Sequence, residues 1–203
     1  MLEYALLTFG SLFAIVDPFA AIPAFLAMTA RDTYQQKRKM AATACTVCWG
    51  VMSVFALAGP FIFKTLGITL PAFQIAGGLI LLLSALDMLR AKRSALKETP
   101  EETEEGMSKD DIAITPLAIP MLSGPGAITT AVVLAGRAEG LPQHLVFFGL
   151  IALVSLLTYL ILTMAARGAR SFPHTFLNIV TRLMGLLLAA VGVQFVLTAL
   201  KIK

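Results

Sequence analysis

Ser123-Gly124-Pro125-Gly126-Ala127-Ile128-Thr129-Thr130 stands in the middle of an apolar run, and its reading decides the fold. Proline lacks an N–H and clashes with the carbonyl four residues back, and glycine is a poor helix former, so a continuous helix is not expected here. The same residues suit an ending followed by a fresh start, with Ser123 or Gly124 as N-cap and Pro125 at the first helical position. In bilayer hydrocarbon, irregular backbone is tolerated only where protein or a watery cavity surrounds it. The stretch therefore marks a cavity or a tightly packed kink.

Working outward, Val16-Asp17-Pro18-Phe19-Ala20-Ala21-Ile22-Pro23 interrupts the first apolar run in the same way, with Asp17 as N-cap and Pro18 as first helical residue. An offset of 107 residues carries Pro18 onto Pro125 and Ala20 onto Ala127. Without a gap, it also carries Gly78-Leu79-Ile80-Leu81 onto Gly185-Leu186-Leu187-Leu188, and Asp87 onto Gln194. One offset that aligns distant segments points to an internal duplication.

With 58% hydrophobic and 14% charged residues in 203, and a mean hydropathy of +0.84, the chain is too apolar for an ordinary soluble domain. Six predicted spans follow: Glu3–Ala30 broken near Asp17, Met40–Phe63, Pro71–Arg90, Ile112–Arg137 broken at Pro116, Pro120 and Pro125, His144–Ala166, and Phe176–Leu200. Met1-Leu2-Glu3 lacks the basic start of a signal peptide, so the first run is expected to stay as an integral helix. The fold class expected is all-α: a polytopic membrane protein of six transmembrane helices in two inverted three-helix repeats, with helices 1 and 4 broken at mid-membrane. Residues 1–90 form the first repeat, 91–111 a charged linker, and 112–203 the second repeat. Three spans per repeat is an odd number, which turns the second repeat upside down, an architecture that recurs in secondary transporters.

The net charge of +4 would suggest nucleic acid in a soluble protein, but here the basic residues lie between spans and report orientation. Arg31, Lys37, Arg38, Lys39, Arg90, Lys92, Arg93, Lys97, Lys109, Arg167 and Arg170 fall on one side; Lys64, Arg137, Lys201 and Lys203 fall on the other. The positive-inside rule makes the first group cytoplasmic, with the 91–111 linker, and both termini periplasmic or extracellular. Cys45 and Cys48 form a C-x-x-C within an apolar run. Thiolate chemistry is opposed there, and two buried small apolar residues are expected.

Asp17 lies about 20 Å along its span at a helical rise, near mid-bilayer, and Ser123 lies at a similar depth from the opposite face. The two breaks are expected to meet about a pseudo-two-fold axis, each exposing a half-helix N-terminus with free amides and a positive dipole end. The second break has no acidic side chain of its own, so the amides of Gly124, Gly126 and Ala127 can seat a carboxylate. Asp17 can pair with an ammonium, and the small residues around both breaks leave room for a small side chain. Asp17, Pro18, Phe19, Ala20, Ser123, Gly124, Pro125, Gly126 and Ala127 are thus candidate substrate-binding residues for a small neutral amino acid. The alternative is that Asp17 only caps its own half-helix.

Asp87 and Arg182 are candidates for coupling or gating, with an ion pair between them, or between Asp87 and Arg90, as the plainer account. His144 and His174 sit at span edges, and Gly77, Gly78 and Gly185 suit close helix packing. No metal-ligand cluster, Ser/His/Asp arrangement or phosphate-binding glycine loop stands out, so no cofactor and no enzyme activity are expected.

Asp17-Pro18-x-x-x-Ile22-Pro23-x-Phe25, with Pro116-Leu117-Ala118-Ile119-Pro120-x-Leu122-x-Gly124-Pro125-Gly126-Ala127-Ile128-x-Thr130, resembles the MarC family of bacterial and archaeal inner-membrane proteins. The resemblance covers essentially the whole chain. It implies a six-helix inner-membrane protein related at superfamily level to LysE-type exporters, some relatives of which carry glycine and alanine. Family members often have glycine where this chain has Ala20, a departure that narrows the space beside Asp17.

Together these readings give a secondary transporter of small neutral amino acids, coupled to a proton or sodium ion or working by exchange. Its expected partners are the lipid bilayer and the amino acid, with a homo-oligomer left open and no nucleic acid. The competing accounts are a membrane-embedded regulatory or assembly subunit, and an intramembrane enzyme with Asp17 as acid or base. A wet midplane cavity between Asp17 and Ser123 favours the transporter; a dry, packed one favours the scaffold.

Overall fold

A computed structural model describes residues 1–90, 113–168 and 174–200, and the predicted linker 91–111 lies outside them. All regular structure among the described residues is helical. Helix α1 (Leu2–Val16) stops at Asp17, and α2 (Pro18–Met28) begins on the next residue. Helix α3 (Tyr34–Leu66) starts on a Thr33/Gln36 capping box and ends on Gly67, whose φ of 66° closes the last turn. Helix α4 (Leu70–Leu89) is capped by Thr69, with Pro71 in its first turn as the sequence suggests.

The predicted fourth span departs from expectation. Pro116 and Pro120 do not break the chain; Ala113–Leu122 winds as a single π-helix, π1. Proline lacks the amide that an α-helix needs, and here the backbone winds on through both positions as a π-helix. The Ser123 amide accordingly donates to the Ala118 carbonyl, five residues back, at 2.9 Å. Only then does the backbone break, at Gly124, before α5 (Pro125–Gly136). Helix α6 (Gly140–Arg167) starts one turn earlier than predicted, and α7 (His174–Ala199) closes the described chain.

Among the described residues, five stretches are long and apolar enough to cross a membrane: Leu2–Met28, Tyr34–Gly59, Leu70–Leu89, Gly140–Arg167 and Thr181–Ala199. Helix α5 is apolar but has 12 residues, too few to cross alone.

The helices pack as three layers. Helices α3 and α6 lie along one another, α4 and α7 do the same, and the interrupted segments α1–α2 and π1–α5 run between these two pairs. Helices α1 and α2 rest on α6 and α7; π1 and α5 rest on α3, and α5 also reaches α4. Most of this packing joins the first half of the chain to the second, so neither half has a core of its own.

Close approach in the α4–α7 pair depends on glycine. A Cβ on Gly78 would lie 2.6 Å from the Gly192 carbonyl oxygen, and one on Gly185 would lie 3.2 Å from that of Ala85. Gly77 abuts Thr129 of α5. These glycines pack helices, as the sequence suggests. Cys45 and Cys48 are buried on α3 and form no disulfide with each other.

Candidate functional site

Asp17 is the whole of the first interruption. With no residue to spare between α1 and α2, it must end one helix and start the next, and it does so at φ 44°, ψ 69°. It is the sole non-glycine residue with positive φ among those described, in a region aspartate tolerates better than most side chains. Its amide donates to the Phe13 carbonyl at 3.0 Å, closing α1, and its Oδ1 accepts from the Ala20 amide at 3.3 Å, capping α2. The side chain is fully buried. Pro18 is buried, whereas Ala20 and Phe19 are half-buried, with Phe19 edge-on to Phe13 at 6.3 Å.

The second interruption is built differently. Gly124 is the N-cap, in extended conformation, and no side chain caps α5. The Ser123 hydroxyl turns back to donate to the Ala118 carbonyl at 2.7 Å, so it closes π1 instead of starting α5. The first amides of a helix have no intrahelical partner, which leaves those of Gly126 and Ala127 uncapped by any side chain. Ser123, Gly124, Gly126 and Ala127 are buried, but Pro125 is exposed and faces away from them.

The two interruptions meet. A Cβ on Gly126 would lie 2.9 Å from Ile15 Cδ1 and 3.4 Å from Leu81 Cδ2, which sets the start of α5 against the last turn of α1. The meeting is packed. With Asp17 at 0% and Ser123 at 1% exposure, these groups are closed to water in this conformation, where the sequence suggested a wet hollow.

Asp87 is half-buried on α4 and Arg182 is exposed on α7. The two stretches are neighbours, since Gly185, three residues from Arg182, packs on Met88 and Ala85. His144 is half-buried at the start of α6, its Nδ1 2.8 Å from the Gly140 carbonyl oxygen. No group of three or more His, Cys, Asp or Glu among the described residues could hold a metal. An apolar groove of about 290 Å³, lined by Ala42, Cys45, Trp49, Ser155, Leu156 and Tyr159, opens between α3 and α6 and contains none of the candidate site.

Sequence reading missed three features here. Tyr4 donates from its hydroxyl to the Leu134 carbonyl at 2.9 Å, tying the start of α1 to the end of α5. Arg137, just past α5, stacks over Phe195 at 4.9 Å from the ring centre. Ser11 and Thr130 are buried with no hydrogen-bond partner, and Thr8 is buried beside the Tyr4 hydroxyl. The only advance signal was their residue type within apolar runs.

A fold that is helical among the described residues, with five membrane-length stretches there and two interruptions in mutual contact, defines the class: a multi-pass integral membrane protein. The chain belongs to the MarC family of integral membrane proteins, whose model matches residues 2–203. It is 37% identical over 202 residues to the UPF0056 membrane protein MJ1677 of Methanocaldococcus jannaschii, covering 98% of this chain and 97% of that one. It is 35% identical over 193 residues to a UPF0056 membrane protein of Aquifex aeolicus, and 34% identical over 193 residues to YhcE of Escherichia coli. Each of these alignments covers 95% of this chain and 90% of the relative. No solved structure matches the chain.

Proposed function

We propose that this protein is a secondary transporter of small neutral amino acids of the glycine and alanine class, working by alternating access around the junction of its two interruptions. The observation that carries the reading is the contact of Gly126 with Ile15, which sets the uncapped start of α5 against the last turn of α1, the turn that ends at Asp17. Amides at a helix start favour a carboxylate, and a buried aspartate favours an ammonium. A zwitterion satisfies both, and only a small one fits among Ala20, Gly126 and Ala127. The family's names state a membrane protein and no activity, so the substrate rests on this chemistry and on the resemblance noted from the sequence.

The same reading counts six crossings, with π1 and α5 together making the fourth, and two inverted repeats. The packing between the halves supports it, because contacts come in exchanged pairs. Under the 107-residue offset the Gly78–Gly192 contact becomes Gly185–Ala85, and both are made. Likewise α3 on α5 answers α6 on α2, α3 on π1 answers α6 on α1, and α1 on α5 answers π1 on α2, whereas α1 on α7 has no comparable match in π1 on α4. Such reciprocity is the signature of a two-fold contact. Because the halves interlock, alternating access would move one layer over another, with Asp87 and Arg182 near the end of the α4–α7 layer as candidate coupling or gating groups. The bias of Lys and Arg supports termini on the non-cytoplasmic side.

Burial of both ends favours one competing account, a packed assembly subunit, over an open carrier; in the transporter reading this conformation is the occluded state. Counterflow in proteoliposomes distinguishes them. Labelled glycine, alanine, serine or threonine should accumulate transiently against internal unlabelled amino acid, and absence of counterflow for all four would remove the transporter reading.

A further inference from the structure

The interface between α1 and α5 carries a ladder of residues one helical turn apart, fixed at both ends. At the inner end Ile15 meets Gly126; at the outer end the Tyr4 hydroxyl binds the Leu134 carbonyl. Residues four apart share a helix face, so one turn from Ile15 comes Ser11, and one turn from Gly126 comes Thr130. Ser11 and Thr130 therefore occupy the rung between the two anchors, with Thr8 a further turn out.

Several hydroxyls in this chain satisfy themselves within their own helix. Thr29 donates to the Phe25 carbonyl at 2.7 Å, Thr158 to that of Val154 at 2.8 Å, and Thr198 to that of Gln194 at 2.7 Å. Ser11 and Thr130 do not, although they are 1% and 0% exposed, and neither makes a hydrogen bond to any described residue. Thr8, at 0%, stands beside the Tyr4 hydroxyl without a hydrogen bond of good geometry. A buried hydroxyl without a partner is a standing penalty, and such groups in a native structure call for an explanation. Three further unpartnered hydroxyls, Ser53, Ser155 and Thr163, lie on α3 and α6, in the layer away from α4 and α7. The offset carries Ser11 onto Ala118 and Thr130 onto Pro23, so the polar rung has no counterpart on the other side of the junction.

We propose that Thr8, Ser11 and Thr130 line a polar access path from the membrane face on which α1 begins to the Asp17 junction, closed here and opened when α1 and α5 part. Its occupants are small hydrogen-bonding solutes: water, and the ammonium and carboxylate ends of the amino acid, the latter resting on the transport reading above. The rung of Ser11 and Thr130 gives the path its one-sidedness, because their symmetry-related positions hold alanine and proline, whereas Thr8 is matched by Thr115.

Cysteine accessibility tests this without requiring transport. In a chain with Cys45 and Cys48 replaced by alanine, Ser11→Cys, Thr130→Cys and Ala118→Cys are each exposed to a small, charged, membrane-impermeant methanethiosulfonate in vesicles of known orientation. Ser11→Cys and Thr130→Cys should react from the α1 face at least tenfold faster than Ala118→Cys reacts from either face. Slowing of that reaction by glycine or alanine supports amino-acid occupancy. Reaction without slowing supports a water path and removes the amino acid from it. Equal inertness of all three, in protein that elutes as the parent does, overturns the path and leaves the counterflow result untouched. As a second readout, Ser11→Ala and Thr130→Val should leave thermal stability unchanged or raised, since each removes an unpartnered hydroxyl; a clear fall would reveal a bonded, structural role and overturn the assignment.

Discussion

Gly78 and Gly192 cross backbone to backbone: a Cβ on Gly78 would meet the Gly192 carbonyl oxygen at 2.6 Å, and one on Gly192 would meet that of Gly78 at 2.9 Å. Backbone cannot swing aside as a side chain can. Gly78→Ala or Gly192→Ala should therefore force α4 and α7 apart and destabilise the fold by about 1–3 kcal/mol. Gly50→Ala and Gly149→Ala, whose added Cβ meets nothing within 4 Å, should be neutral or stabilise by up to about 1 kcal/mol. Thermal unfolding in detergent distinguishes the two pairs.

Asp17 performs two separable tasks. Asp17→Ala loses the cap on Ala20, about 1 kcal/mol, and asks alanine to hold a left-handed backbone, about 1–2 kcal/mol more. Asp17→Asn keeps a capping oxygen and tolerance for that backbone while removing the charge. The asparagine variant should thus unfold near the parent temperature and lose transport, whereas the alanine variant should lose both. Unfolding and counterflow measured on the same preparations check this.

Ser123 was a candidate ligand by its place beside Gly124, but its hydroxyl is committed to the Ala118 carbonyl. Ser123→Ala should lower stability by about 1 kcal/mol and leave amino-acid affinity within about twofold. A tenfold loss of affinity at intact stability would return the hydroxyl to the binding site.

The Tyr4–Leu134 bond holds the outer ends of α1 and α5 together. Tyr4→Phe should cost about 1 kcal/mol of stability and speed modification of Thr130→Cys in the accessibility assay.

Much of this was legible from residue type. Asp-Pro and Gly-Pro-Gly announced both interruptions, because no helix runs smoothly through them, and the glycines of α4 and α7 announced a close crossing. The left-handed Asp17 was not legible: an N-cap normally has extended backbone, and only the absence of a linking residue between α1 and α2 forces otherwise. Nor was π1, since prolines at 116 and 120 read as breaks until a wider winding is seen to absorb them. The Asp87–Arg182 pairing rests on matched positions in the repeat alone, and residue type cannot say that Asp87 is half-buried while Arg182 is exposed. The hydroxyls of α1 and α5 gave no warning, because in most membrane helices such groups bond to the preceding turn.

The central claim is that the Asp17 carboxylate and the uncapped start of α5 hold opposite ends of one small amino acid. Equilibrium binding of radiolabelled glycine and alanine to purified protein tests it most directly, comparing the parent chain with Asp17→Asn at matched thermal stability. The account predicts saturable binding that N-acetylglycine and glycinamide fail to compete, weakened at least tenfold by the substitution. Binding unchanged in Asp17→Asn, or competed equally by both blocked analogues, would contradict it.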